Sequence, residues 1–269
     1  FYNKRMLEED GYQIPSTYAE LIDTMQQIKK AGKLPIIFAD KDSWTIHQGW
    51  DAIDMSSRGS QDDFFQNVLN GDAFLYEDSI ALDSTRKFLE IRKYGQKQTV
   101  NTGYDEAVKK FANGEAYMFF QGNWAYPMIK KINPDIDLLF MPFPAYHENQ
   151  AKVVVKIDPT LGVSASCKHL EAVEQFLDYV FSKNVSEYYA DKAGAYSCIK
   201  SVDVEDSYAK AFTDSIRSGE FFLEEFAYET EKSDAINALF QNFISSPQRD
   251  TEKSFLKELN DLLIQQKGD

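Results

Sequence analysis

The sequence predicts an α/β fold rich in helix, and three observations predict it. An amphipathic stretch, a tight turn and a short apolar run of β-branched residues follow one another over residues 17–38. The same order of helix pattern, glycine and bulky apolar run returns over residues 104–120. Apolar runs too short for helices recur between the helical patterns, as buried strands do. With 269 residues, the chain can hold one large or two ordinary domains at roughly 150 residues each.

The first confident helix opens on Thr17 and Glu20, the spacing of a capping box, and places Tyr18, Leu21, Ile22, Met25 and Ile28 at helical intervals before Gly32. Residues 34–38 are the strand that follows. After a polar break at 40–43, the aromatic-studded stretch 44–53 reads as a helix and the serine-rich 56–60 as a loop. Residues 64–69 and 83–94 read as surface helices with one buried face. Residues 104–113 form a helix with Ala107, Val108 and Phe111 on one side, ended by Gly114, and 116–120 a strand broken by Gly122-Asn123. Another helix begins near Trp124 and stops at Asn133-Pro134, because a proline disfavours helical backbone in the residue before it. Strands at 136–141 and 152–157 bracket a turn at 142–150. Residues 161–165 read as one more strand, and 168–182 as a helix with Val173, Phe176, Leu177, Val180 and Phe181 inward. The remainder reads as helical, at 185–192, 206–217, 233–245 and 250–265. Phe1 to Lys4 lead straight into a helical pattern, which reads as a trimmed start.

Charge and motif content remove several classes of function. Asp and Glu number 43 against 29 Lys and Arg, a formal net charge of -14, which repels phosphate backbones and so argues against nucleic acid. The same excess disfavours docking on anionic lipid, and no apolar run approaches the roughly 18–20 residues of a membrane span. Direct membrane insertion is not expected. Cys167 and Cys198 have no C-x-x-C spacing and no histidine placed to complete a metal set, so no metal is expected; whether they bridge stays open. There is no G-x-S-x-G, no glycine-rich phosphate loop and no H-E-x-x-H. His47, His147 and His169 are scattered. The adjacent pairs Asp62-Asp63 and Glu224-Glu225 point apart rather than flanking one bond. The reading is a binding protein with no catalytic set and no cofactor.

Two loops stand where an α/β sheet presents ligands, beyond the carboxyl ends of its strands. Gly122-Asn123-Trp124 follows one strand, and Asp40, Asp42 and Trp44 follow another. Trp124 is the first candidate, Trp44 and Asp42 the next. The plain alternatives are that Trp124 pins a helix to the core, that the acids are solvated, and that Trp50 is the buried member of its helix.

Four phrases, in order along the chain, resemble the extracellular solute-binding proteins of bacterial ABC sugar importers, the family of maltose-binding and multiple-sugar-binding proteins. They are Tyr2-Asn3-Lys4 with Glu9-Asp10-Gly11, residues 104–107 with 111–116, Gln121-Gly122-Asn123-Trp124-Ala125, and residues 164–172. The resemblance implies a type II periplasmic-binding-protein-like fold. It also implies that the chain is mainly the second lobe, since the first phrase lies in relatives just after the crossing from lobe one. On that reading residues 1–157 begin the second lobe, 158–205 are the hinge crossover and a first-lobe segment, and 206–269 are the closing helices. Most of the first lobe, a signal peptide and a lipid-attachment cysteine would precede Phe1, making the intact parent a cell-surface lipoprotein, or periplasmic in a Gram-negative cell. Residues 160–205 would lack their usual partner sheet.

The function implied is capture of a mono- or oligosaccharide by lobe closure and delivery to the permease subunits of an ABC importer. Sugars offer flat C–H faces and rims of hydroxyls, which aromatic platforms and planar polar side chains recognise. By resemblance Trp124 and Trp44 are stacking platforms and Asp42 a hydroxyl acceptor. Asp158 sits at the hinge phrase, where Pro159 replaces the usual glycines, and Tyr228 falls where relatives bring another aromatic to the cleft, with Phe221, Phe222 and Phe226 equally at home in a core. A carbohydrate-active hydrolase with dispersed acids, and a binder of peptides or polyols, are the rival readings.

Overall fold

The computed structural model describes residues 1–58, 63–144, 151–156, 160–193, 197–202, 210–219, 221–223, 230–246 and 251–264. In chain order the elements are β1 (Tyr2–Asn3), α1 (Lys4–Glu9), α2 (Tyr18–Lys30), β2 (Ile36–Ile37), α3 (Trp44–Arg58), α4 (Phe64–Asn70) and α5 (Ser79–Arg92). Next come a 3₁₀ turn (Thr99–Asn101), α6 (Tyr104–Ala112), β3 (Met118–Phe119), a second 3₁₀ turn (Asn123–Ala125), α7 (Tyr126–Ile132), β4 (Leu138–Leu139) and β5 (Val153–Val155). The chain continues through α8 (Leu170–Val180), α9 (Lys183–Ala193), α10 (Lys210–Ser218), β6 (Phe221–Leu223), α11 (Thr230–Ser245) and α12 (Glu252–Ile264).

A four-stranded sheet of order β2-β3-β1-β4 forms the centre. β2 and β3 run parallel, with Ile36 opposite Met118 and Ile37 opposite Phe119. β1 is antiparallel to both neighbours, Tyr2 facing Met118 on one side and Leu139 on the other. Side chains alternate across a strand, and the burial follows. Ile36 and Met118 join the core formed with α2, α3, α5, α11 and α12, whereas Ile37 and Phe119 join the one formed with α6 and α7. Helices cover both faces, so β2, β3 and β4 are apolar on both sides, while β1 places Tyr2 on one side and the buried, α1-capping Asn3 on the other. β5 and β6 form a separate parallel pair, Val153 opposite Phe221.

Local chemistry explains the helix limits. Thr17 Oγ1 accepts from the Glu20 N–H and the Glu20 carboxylate accepts from the Thr17 N–H, the reciprocal capping box that starts α2. Gly32 and Gly114 follow the ends of α2 and α6 at φ +75° and +76°, a left-handed backbone that other residues adopt only at a cost.

Several expectations need correction. Residues 56–58 continue α3 rather than forming a loop. The first residues are not a helical lead-in: Tyr2 and Asn3 are a central strand, and Asn3 then caps α1 by accepting the Met6 N–H. Phe221 to Leu223 are a strand, not helix or loop. Residues 161–165 carry no strand, and Leu161 and Val163 are exposed. α8 forms where its periodicity places it, yet none of its residues is buried, and Phe176 and Phe181 face solvent. Only Val173, Leu177 and Val180 are half-buried, where α8 meets α9, and the rest of its apolar residues stay exposed among the described residues. Both cysteines are free. No helix among the described residues is long and apolar enough to cross a membrane.

Candidate functional site

The two tryptophan loops come together. Trp44, the first residue of α3, and Trp124, in the 3₁₀ turn after β3, have ring centroids 6.0 Å apart at 53°. Their strands are parallel neighbours, so both rings leave the same edge of the sheet. Trp124 is 43% exposed, against 0% for Trp50 one helix away. Trp50 is thus the core member, its indole N–H donating to Thr85 Oγ1 at 3.0 Å. Trp44 is half-buried.

Gly122 explains how Trp124 is held. A Cβ there would lie 2.1 Å from Trp124 Cζ3 and 2.2 Å from Cη2, so the indole folds back over the glycine. The glycine therefore does not throw the ring outward. It gives the ring a place to lie, with one side against backbone and the other toward solvent.

Asp42 also sits in this neighbourhood, but one of its oxygens is already used. Oδ2 accepts the Tyr104 backbone N–H at 2.6 Å, which satisfies a donor at the start of α6 that the N-cap residue Gly103 has no side chain to meet. No bond to Oδ1 is present among the described residues, and the residue is half-buried. Asp40, two residues earlier, is a buried anchor. Arg92 Nε and Nη2 reach its two oxygens at 3.2 Å each, and the guanidinium lies 3.7 Å from the Phe88 ring centroid and 4.8 Å from that of Phe38. Burial lowers the proton affinity of Arg92, opposed by the Asp40 charge.

Tyr104 is the member that sequence reasoning passed over. Its ring lies 5.3 Å from Trp44, and its buried hydroxyl has no hydrogen-bond partner among the described residues. Burial, with a smaller contribution from Asp105, pushes that hydroxyl up to about 12. Gln121 Nε2 and Gln48 Oε1 are likewise buried without a partner among the described residues; Gln121 precedes the Gly122 turn and Gln48 lies one helical turn after Trp44. The available signal was an aromatic residue at the first position of a helix, which reads ordinarily as core. Asp158 and Tyr228 lie outside the described residues, so the structure does not bear on them. Among the described residues no three His, Cys, Asp or Glu side chains are grouped to hold a metal ion. The arrangement is a pair of half-open indoles with a third ring behind and polar groups with unused capacity around them. It suits a flat ligand face with a polar rim.

Comparison with known proteins gives the same direction. A model of the bacterial extracellular solute-binding proteins matches residues 1–186. The multiple sugar-binding protein of Streptococcus mutans is 28% identical over 210 residues, covering 75% of this chain and 49% of that protein. The chain therefore spans about half the length of this relative. The solved structure of the solute-binding protein RafE in complex with raffinose superposes with a TM-score of 0.78 at 24% identity, over 99% of this chain and 70% of that one. A sugar transporter protein of Bacillus licheniformis in complex with stachyose gives 0.74 at 18% identity, over 97% and 70%. The fold is the helix-rich α/β, periplasmic-binding-protein-like type II fold. With a family model matching well over half its length, the chain belongs to the bacterial extracellular solute-binding proteins.

Proposed function

We propose that this chain is the larger part of the sugar-binding component of an ABC importer, and that the Trp44–Trp124 pair is the half of the cleft that lies on the second lobe. The observation that carries this is the pair itself: two indoles 6.0 Å apart, one of them 43% exposed, at the carboxyl edge of a parallel strand pair. Such platforms stack on the C–H faces of a mono- or oligosaccharide. Asp42 Oδ1 accepts a sugar hydroxyl, and Asp158 and Tyr228 are further contacts by family resemblance. The multiple-sugar-binding relative and the raffinose and stachyose complexes support a sugar as ligand.

In the intact protein, residues 1–157 begin the second lobe, 158–205 cross the hinge and add a segment to the first, and 206–269 close the second. The partly uncovered face of α8, with Leu170, Phe176 and Tyr179 exposed, supports this division, because an amphipathic helix of that kind belongs against a sheet. Closure of the lobes then traps the sugar, and the closed form is delivered to permease subunits at the extracellular face of the membrane. The parent is a surface lipoprotein and performs no chemistry on its ligand.

The test is titration with raffinose, stachyose, peptides and polyols, by calorimetry and by chromatography of the recovered ligand. Saturable sugar binding without product, weakened about tenfold by Trp124→Ala or Trp44→Ala, is the expected result. Cleaved sugar would establish the hydrolase reading instead, and a response to peptides or polyols alone would establish a different solute.

A further inference from the structure

The loop that presents Asp42 and Trp44 is gripped by a helix from the far end of the chain. Gln241, on α11, donates from Nε2 to the backbone oxygens of both Asp40 and Lys41, each at 3.3 Å. One turn earlier, on the same face of α11, Asn237 Oδ1 meets His47 Nδ1 at 2.6 Å. An amide oxygen only accepts, so Nδ1 of His47 carries the proton. Phe240 lies between these two contacts and is fully buried, with ring centroids 5.9 Å from Trp50 and Phe88 and 4.9 Å from Phe255. It fixes the height of α11 over α3. The helix thus holds the chain on both sides of Trp44, at the loop before it and at the first turn after it.

These contacts differ in kind from the rest of the core. The loop's side chains are held by Arg92 at Asp40 and by the Tyr104 N–H at Asp42, and its backbone is otherwise tied by Lys41 N–H to Thr102 O, Asp42 N–H to Ala39 O and Thr45 Oγ1 to the carbonyls of Ala39 and Asp42. Of these backbone bonds, the one to Thr102 reaches the loop before α6 and the others close the turn on itself. Gln241 is the described side chain that ties the loop's backbone to α11. Gln241 is half-buried, so carbonyls released by its loss can be hydrated, and little global stability depends on it. What depends on it is where the turn sits, and with it the first residue of α3.

We infer that Gln241 is a positioning residue for the stacking pair: through the carbonyls of Asp40 and Lys41 it sets the place of Trp44 relative to Trp124. The importance of this for ligand rests on the proposed sugar site, but the placement itself is measurable without ligand. Two indoles at this separation couple electronically and give a paired positive and negative circular-dichroism band, identified by its loss in Trp44→Phe and Trp124→Phe.

The experiment compares Gln241→Glu, which keeps the length but replaces the donor with an acceptor facing two carbonyls, with Gln241→Lys, which keeps a donor. The expected result is loss of most of the paired band in Q241E at an unchanged melting temperature, its return in Q241K, and raffinose affinity lowered about fivefold in Q241E only. A band that persists in Q241E, that is lost equally in Q241K, or that Trp44→Phe leaves intact overturns the inference. If the unsubstituted chain binds no raffinose while the band responds as expected, the positioning role stands and the proposed function is what fails.

Discussion

Replacing Gly122 with alanine separates the stability of this fold from the geometry of its site. The backbone there is extended, φ -78° and ψ 171°, which alanine adopts freely, so the substitution carries no backbone strain. The conflict is with one ring. An added Cβ would stand 2.1, 2.2 and 2.5 Å from three carbons of the Trp124 indole, where carbon contacts settle near ~3.5–4.0 Å. The ring must retreat by roughly 1–2 Å. In a closed core, overpacking of this kind costs about 1–3 kcal/mol, but Trp124 is 43% exposed and can swing outward. Losing a glycine also returns about 0.4–1 kcal/mol through the unfolded chain. The net change in stability is therefore near zero, within about 1 kcal/mol. The ring's place beside Trp44 is lost, and sugar affinity falls about tenfold. Thermal melts and acrylamide quenching of tryptophan emission read the two effects separately. G122A should melt with the parent and show greater quenching, with the buried Trp50 unaffected. Unchanged quenching and affinity, or a stability loss of several kcal/mol, would refute the argument that the glycine exists for this ring.

Three further perturbations address the surroundings. Burial, partly offset by the hydrogen bond to Asn237, lowers the pKa of His47 from 6.5 to about 4. The unfolded chain takes up this proton first as pH falls, so the contribution of His47 is complete above about pH 6.5 and is lost toward pH 4, about 2 kcal/mol by pH 5; urea melts of His47→Gln between pH 7.5 and 5 should lack that share of the slope. Arg92→Met strands the buried Asp40 carboxylate and should cost about 3–5 kcal/mol, whereas a loss under ~1 kcal/mol in urea melts would show that the pair does not anchor the loop. Phe176→Ser with Tyr179→Ser on α8 should change stability by less than about 0.5 kcal/mol while reducing binding of a hydrophobic dye; a large destabilisation would mean that this face is packed after all.

Whatever short-range chemistry decides was legible along the chain. The capping box at Thr17, the glycine ends of α2 and α6, the rhythm of helix, turn and strand, and the break at Gly122-Asn123 all depend on residues a few positions apart. The two tryptophan loops were legible for the same reason, since each follows directly on a strand. Tertiary structure decided what depends on contacts from elsewhere. Strands of two residues have no periodicity, so β1 is defined by its neighbours Met118 and Leu139 rather than by its own pattern. Asp40 and Asp42 look alike in sequence, and only the arrival of Arg92 and of the Tyr104 N–H tells an anchor from a cap. Tyr104 needed Trp44 beside it to become part of a site. The face of α8 shows the converse: its amphipathic pattern is complete in the sequence, but a pattern states only which side wants burial, and among the described residues α8 meets α9 with Val173, Leu177 and Val180 half-buried while Leu170, Phe176 and Tyr179 stay exposed.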